Sequence, residues 1–217
     1  MSKTARPGTA ESSAGVLFIV SAPSGTGKTS LVNKLLELEP NMMVAVSHTT
    51  RAKRAKETDA VNYHFVDPDV FERMIKENAF LEHAKVFDHL YGTSKAAVER
   101  DLSAGRDVVL EIDWQGARQV RVAFPQAVGI FILPPSVASL RSRLRSRDQD
   151  DDAVIEARLA AARGEMMHCE EYDYLIVNDD FAVALGELRA ITGAEHARFS
   201  YRRTRLQWLL DELLAEG

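Results

Sequence analysis

The chain has 217 residues, 46% of them apolar, and a formal charge of −5. That suits one α/β domain with insertions and gives no overall basic field for nucleic acid or an anionic membrane. One cysteine, Cys169, excludes an internal disulfide, and with no apolar run near the ~18 residues of a membrane span and no signal core, a cytoplasmic protein is expected.

Residues 1–15 are rich in Ser, Thr, Ala and Gly without hydrophobic periodicity, so a disordered leader is expected ahead of one domain over 16–217. Val16 to Val20 reads VLFIV, the pattern of a strand buried on both faces of a parallel sheet. It passes into SAPSGTGKTS and then into helical spacing at Leu31, Val32, Leu35 and Leu36. A turn that brings successive N–H groups onto phosphate oxygens follows a path that side chains forbid, and Gly25 and Gly27 supply it. Lys28 places a point charge on the terminal phosphates, and Thr29 offers a hydroxyl to Mg²⁺. The helix beginning here aims its positive end at the same anion. Ala22 stands where GxxxxGK[ST] has its first glycine.

Met42 to Ser47 reads as a second strand. After it Arg51, Lys53, Arg54 and Lys56 crowd into one segment, for which a solvated basic loop is the ordinary explanation. Tyr63 to Val66 alternates like a short strand; Asp67 and Pro68 mark an N-cap and first helical turn, with Val70 to Lys76 in the helix. Phe80 to Val86 reads as strand, and Tyr91-Gly92-Thr93 as a turn before a helix that ends at Gly105. Val108 to Asp113 returns to the buried type and ends in acid. Glu111 and Asp113 therefore suit a role at the carboxyl edge of the sheet, orienting a Mg²⁺ shell or a ligand, while Asp113 alternatively caps the next helix. Ala127 to Leu133 is another buried strand, stopped by Pro134 and Pro135. Two helical stretches rich in arginine then flank Asp148 to Asp152, a plausible lid over anionic ligands or a pair of solvated helices held by ion pairs. Tyr174 to Val177 is the last core strand. Ala184 to Leu214 is amphipathic helix interrupted near Gly193, with Trp208 a packing residue.

Taken together, SAPSGTGKTSL, SHTTRAKR, NYHF, AFLEHAKV, YGTS, EIDWQGARQV, the arginine-rich lid and YLIVNDDF resemble the guanylate kinase family of nucleoside monophosphate kinases, in its bacterial form. The resemblance runs from Val16 almost to the C-terminus. It implies a P-loop kinase core with a helix-flanked parallel sheet (16–46, 94–135 and 170–217), an inserted, mostly β GMP-binding lobe (47–93) and a helical lid (136–169). The implied reaction is ATP plus GMP giving ADP plus GDP, with Mg²⁺ as cofactor and dGMP as an alternative acceptor. A homo-oligomer is compatible with it; nucleic-acid and membrane partners are not expected.

The resemblance also implies roles. Ala22, Pro23, Ser24, Gly25, Thr26, Gly27, Lys28, Thr29 and Ser30 would bind ATP, with Asn178 near its adenine and Arg143 against the ring. Thr29 would hold the metal, with Asp113 acting through water. Arg51 and Arg54 would clamp the acceptor phosphate, helped by Tyr63 and Tyr91, and Lys28, Arg147 and Arg158 would complete the charge around the transferred group. Glu82 would read guanine, because a carboxylate can accept from both N1–H and the 2-amino group, with Ser47 and Thr93 at the base edge and Asp113 close by. The acceptor phosphate oxygen is already nucleophilic, so such a site needs positioning and charge rather than a general base. The chain has Arg147-Asp148 where relatives often have Arg-Gly. A related kinase acting on a ribose bisphosphate and a silent, peptide-binding module of the same fold are the alternatives. Glu82 argues against the first, and Lys28, Thr29, Arg147 and Arg158 together argue against the second.

Overall fold

The structure, a computed structural model, describes residues 14–55, 57–86, 88–147 and 152–215. Among these no helix is long and apolar enough to cross a membrane. The VLFIV run becomes β1 (Leu17–Ser21), every residue of which is buried. It leads through the glycine turn into α1 (Lys28–Leu38) and then β2 (Met42–Val44). A segment with its own sheet follows: β3 (His48–Thr49), β4 (His64–Phe65), α2 (Pro68–Lys76), β5 (Phe80–Val86) and β6 (His89–Ser94). The chain then returns through α3 (Lys95–Ser103), β7 (Asp107–Glu111), α4 (Trp114–Ala123) and β8 (Val128–Leu133). The helix pair α5 (Val137–Arg147) and α6 (Asp152–Met166) precedes β9 (Tyr174–Val177) and the terminal helices α7 (Phe181–Ala197), α8 (Phe199–Arg205) and α9 (Gln207–Leu214).

The main sheet has five strands in the order β2-β7-β1-β8-β9, all parallel. Its apolar strands need cover on both faces. One face packs Phe18, Val20, Val109 and Ile130 under Leu31, Leu35, Ala184 and Leu188 of α1 and α7. The other packs Ile19, Val108 and Leu110 under Val98 and Leu102 of α3 and Ala117 and Val120 of α4. Each of these Val, Leu, Ile or Phe side chains, fully buried, is worth about 1.5–3 kcal/mol of transfer free energy, so this sandwich fixes the sheet to which the functional loops attach. β1 lies at the centre, where the winding reverses. In a doubly wound sheet the crevice at that point, beyond the carboxyl ends of the strands, is where ligands bind.

The second sheet has the order β4-β3-β6-β5, with β3 parallel to β4 and antiparallel to β6. The β5–β6 register shifts between Phe80 and Glu82, so that Phe80 pairs with Ser94 yet Glu82 pairs with Thr93. A bulge of this kind re-aims a side chain. Here Leu81 and Glu82 are consecutive and both buried.

Three expectations are corrected. Tyr91-Gly92-Thr93 is not a turn but the middle of β6. Its glycine answers to close packing, since a Cβ on Gly92 would stand 3.0 Å from the rings of Phe71 and Phe80. The C-terminal helix runs straight through Gly193, where a Cβ would meet nothing, and breaks instead at Arg198, whose backbone is extended and whose guanidinium pairs with buried Glu195 at 2.8 Å. Gly15, counted with the leader, is part of the packed structure: its N–H donates to Leu102 O at 2.8 Å, and a Cβ would collide with Arg106 O. Residues 1–13 lie outside the described residues.

Candidate active site

At the carboxyl end of β1 the chain turns back on itself through Gly25 at φ +89° and Gly27 at φ +98°, both in the left-handed region that glycine tolerates. Gly27 is the N-cap of α1, so the free N–H groups of the helix open onto this turn. The loop is braced from behind. Asn178 Nδ2 donates to Thr26 O at 2.7 Å, and Arg143 donates to Thr26 O at 3.2 Å and to Asn178 O at 2.9 Å. A side chain at Gly27 would lie 2.6 Å from Asn178 Nδ2. The helix pair covers the loop as well: a Cβ on Gly25 would meet Leu144 of α5 at 2.9 Å, and Arg158 of α6 donates to Ser24 Oγ at 3.1 Å. Leu140, Leu144, Ile155, Leu159 and Ala162 give that pair a small core of its own.

Lys28 is drawn from water at the head of α1. Burial pushes its pKa down, while the charges of Glu111, Glu165 and Asp113 oppose that shift. Thr29 Oγ1 donates to Glu111 Oε2 at 2.9 Å, so the hydroxyl expected to serve a metal is paired with Glu111. Asp113 caps α4, its Oδ1 accepting from Gly116 N at 2.9 Å, and it also lines the recess over the turn.

That recess, about 460 Å³, includes Ser24, Lys28 and Thr29 and shares Tyr63, Ile112, Asp113 and Glu165 with a second cavity of about 320 Å³. The second cavity is walled by Ser47, Glu82, Ala84 and Tyr91. Glu82 is 5% exposed. Its Oε1 accepts from Thr93 Oγ1 at 2.6 Å, and Ser47 Oγ stands 3.1 Å from the same hydroxyl. With its one proton given to Glu82, the Thr93 hydroxyl accepts from Ser47. Burial raises the Glu82 pKa to about 7 against the opposing Thr93 hydrogen bond, with the Asp113 charge adding to the rise.

Arg51 reaches the edge of this space. Its guanidinium pairs with both oxygens of Glu57, at 2.7 and 3.0 Å, and sits 5.5 Å and 5.7 Å from the Tyr63 and Phe65 ring centres. Tyr63 and Tyr91 meet edge to face at 5.9 Å. Burial raises the Tyr63 pKa, which keeps its hydroxyl a donor. Arg54 is not brought in with them: the residue is exposed, and its described hydrogen bonds are made by its backbone, N–H donating to Glu57 Oε2 at 2.8 Å and the carbonyl accepting from Glu57 N at 3.0 Å. Arg147 ends α5, and its side chain lies outside the described residues, as does Asp148.

Of the residues expected at the phosphates and at the base edge, Lys28, Thr29, Ser47, Tyr63, Glu82, Tyr91 and Asp113 line these adjoining recesses, and Thr93 is buried behind Glu82. Arg143 and Asn178 stand on the far side of the loop, beside a smaller recess of about 260 Å³ that includes Asp179 and Phe181. Sequence reasoning missed Glu57 and Glu165. Glu57 left a faint signal, an acid closing a run of four bases; Glu165 left none, because half-buried acids on a helix look like any other. A further cluster ties the end of α6 to the start of α4. Arg118 donates to both Glu171 oxygens at 2.7 Å, Trp114 stacks on His168 at 3.7 Å, and the Arg118 hydrogen bonds, with His168, take Glu171 down to about 2.

A central parallel strand feeding a glycine turn with Lys28 and Thr29, with a second sheet and a helix pair bordering the same crevice, defines a P-loop phosphotransferase. The guanylate kinase family model matches residues 15–195. The guanylate kinase of Saccharophagus degradans is 55% identical over 93% of this chain and 98% of its own, and that of Escherichia coli O157:H7 is 53% identical over 93% and 99%. The crystal structure of guanylate kinase from Anaplasma phagocytophilum, 36% identical, superposes with a TM-score of 0.74 over 94% of this chain and 97% of that one. The chain belongs to the guanylate kinase family.

Proposed function

We propose that this protein transfers the γ-phosphoryl group of ATP to GMP, giving ADP and GDP, and that Glu82 selects the acceptor. The observation that carries the reading is a carboxylate sunk in a cavity that opens onto the phosphate turn, tied by Thr93 and, among the described residues, without a cationic partner. Burying such a group without a cation is costly. Guanine's N1–H and 2-amino group offset that cost by donating in parallel to its two oxygens; adenine offers no such pair.

The turn amides and Lys28 hold the β- and γ-phosphates. The smaller recess beside Arg143, Asn178 and Phe181 takes the adenine. Arg51, already oriented by Glu57, receives the acceptor phosphate together with the Tyr63 and Tyr91 hydroxyls, and exposed Arg54 closes onto it from the same loop. An acceptor oxygen attacks the γ-phosphorus in line, the bond to the β–γ bridging oxygen breaks, and ADP leaves carrying that electron pair. No protein nucleophile or base is needed. Residues 47–93 act as the acceptor lobe and 136–169 as a lid on the core, with Arg158 and Arg147 bringing positive charge as the lid excludes water.

The Thr29 hydroxyl and the Glu111 and Asp113 carboxylates are hard oxygen donors beside the phosphate turn, a set that suits Mg²⁺ completed by phosphate oxygens and water. Bound with ATP, the ion neutralises charge on the transferred group. The same site admits dGMP, and the exposed Trp208, Leu213 and Leu214 of α9 offer a surface for self-association. The single cysteine favours the cytoplasm.

The test is ADP formation from ATP and Mg²⁺ with GMP, dGMP, AMP, CMP, UMP or ribose 1,5-bisphosphate offered separately. Turnover with the guanine nucleotides alone is expected. Preference for the sugar bisphosphate, or no turnover despite ATP binding, would overturn the reading.

A further inference from the structure

Glu82 does not hold its place alone, because α4 presses against it from the core. In the first turn of that helix a Cβ on Gly116 would stand 2.9 Å from Glu82 Oε2 and 3.3 Å from Ile112 Cβ. One turn further on, the Gln119 side-chain amide pairs with the backbone of the residue after Glu82: Nε2 donates to His83 O at 2.9 Å, and Oε1 accepts from His83 N at 3.1 Å. β5 is the edge strand of its sheet. Gln119 therefore occupies the free edge as a neighbouring strand would, and it does so three residues along the same helix face from Gly116. The cap of α4 is Asp113, so one helix joins the phosphate crevice to the base-reading strand.

We propose that Gly116 and Gln119 are positioning residues that determine base specificity, Gln119 by fixing the height of β5 and Gly116 by leaving the slot into which the Glu82 carboxylate fits. The inference rests on Glu82 reading the base. Two parallel hydrogen bonds need both carboxylate oxygens in the plane of the purine, and a side chain at Gly116 displaces Oε2. The displaced atom is the far end of a flexible side chain, so the fold can absorb an alanine by moving Glu82 instead of unfolding. Alanine also favours the helix over glycine. Stability and recognition thus move in opposite directions.

The experiment compares kcat/KM for GMP and for inosine monophosphate, which keeps the phosphate, ribose and N1–H but lacks the 2-amino group. Wild type, Gly116→Ala, Gln119→Ala and Glu82→Gln are measured together with KM for ATP and Tm. The expected result is a fall of about tenfold or more in the GMP-over-inosine ratio for Gly116→Ala, the scale of one hydrogen bond to a charged group. KM for ATP should be unchanged and Tm equal or higher. A smaller fall in the same ratio is expected for Gln119→Ala. A merely structural role would lower both acceptors alike. An unchanged ratio in Gly116→Ala, while Glu82→Gln collapses it, overturns the inference and leaves the base reading intact. An unchanged ratio in Glu82→Gln overturns the base reading itself. Should Gly116→Ala fail to fold, Gln119→Ala decides, and an unchanged ratio there overturns the inference.

Discussion

The phosphate turn and the base cavity meet across the same few residues yet are built by opposite means. The turn is main chain: Gly25 and Gly27 in left-handed conformations, the start of α1, and a carbonyl at Thr26 held by Asn178 and Arg143. It favours an anion before any ligand arrives. The base cavity is side chain: Ser47, Thr93 and Glu82 come from three separate segments, and its central group is an anion whose pKa burial has raised to about 7. A pre-formed backbone site binds any phosphate, and selectivity has to come from a group that is unhappy until the right partner appears.

The sharpest way to break that contrast is to remove the charged side chain that the turn presents at the head of α1. Lys28→Ala is expected to lower kcat about a thousandfold, at the upper end for loss of one charge-stabilising group, with Tm nearly unchanged; steady-state ADP formation and thermal unfolding check it. At the other end of the cleft, Glu82→Gln should cut kcat/KM for GMP about a hundredfold or more, since an amide NH₂ opposes one guanine donor, while KM for ATP stays the same.

The same variant sharpens the comparison through stability. The folded-state pKa of Glu82 lies above its ordinary value of 4.5, so wild type suffers no penalty below that pH and loses stability as pH rises through about 7. Relative to wild type, Glu82→Gln should therefore gain up to about 3 kcal/mol between pH 4.5 and about pH 8, read from urea unfolding across that range. Arg51→Ala is expected to raise KM for GMP by about tenfold, the scale of one charged hydrogen-bonding partner, with little change for ATP. The smallest effect belongs to the exposed Arg141–Glu156 pair joining α5 to α6. Its removal should leave Tm nearly unchanged and kcat within twofold, measured by thermal unfolding and turnover.

The two regions also differ in how far they were legible. The turn is contiguous, and its glycines, lysine and threonine need each other at fixed spacing, so strand, turn and helix could all be placed from Val16 to Leu36. The five strands of the main sheet were legible for the same reason, as local apolar runs with punctuated ends, although only β1, β7 and β8 are buried along most of their length. The base cavity is different. Glu82 is buried because a bulge shifts β5 by one residue and because Gly116, far along the chain, makes room for it. Neither cause has a local signature, so only the resemblance pointed there. Gly92 was misread as a turn because glycine signals both a bend and a tight contact, and the tight contact is with Phe71 and Phe80. Arg54 and Asn178 were placed by motif. Their described contacts are of different kinds, a backbone N–H of Arg54 on Glu57 and the side-chain amide of Asn178 on the Thr26 carbonyl, and a motif does not distinguish the two.

The most direct test of the account is the pH profile of kcat/KM for GMP in wild type and in Glu82→Gln. The phosphate of GMP itself titrates near pH 6, and the variant carries that titration alone, so the ratio of the two profiles isolates Glu82. If the ionised carboxylate reads guanine, the ratio falls toward tenfold per unit below about pH 7. A ratio that stays flat from pH 5 to pH 8 would contradict the account, because the acceptor would then be chosen without the charge of Glu82.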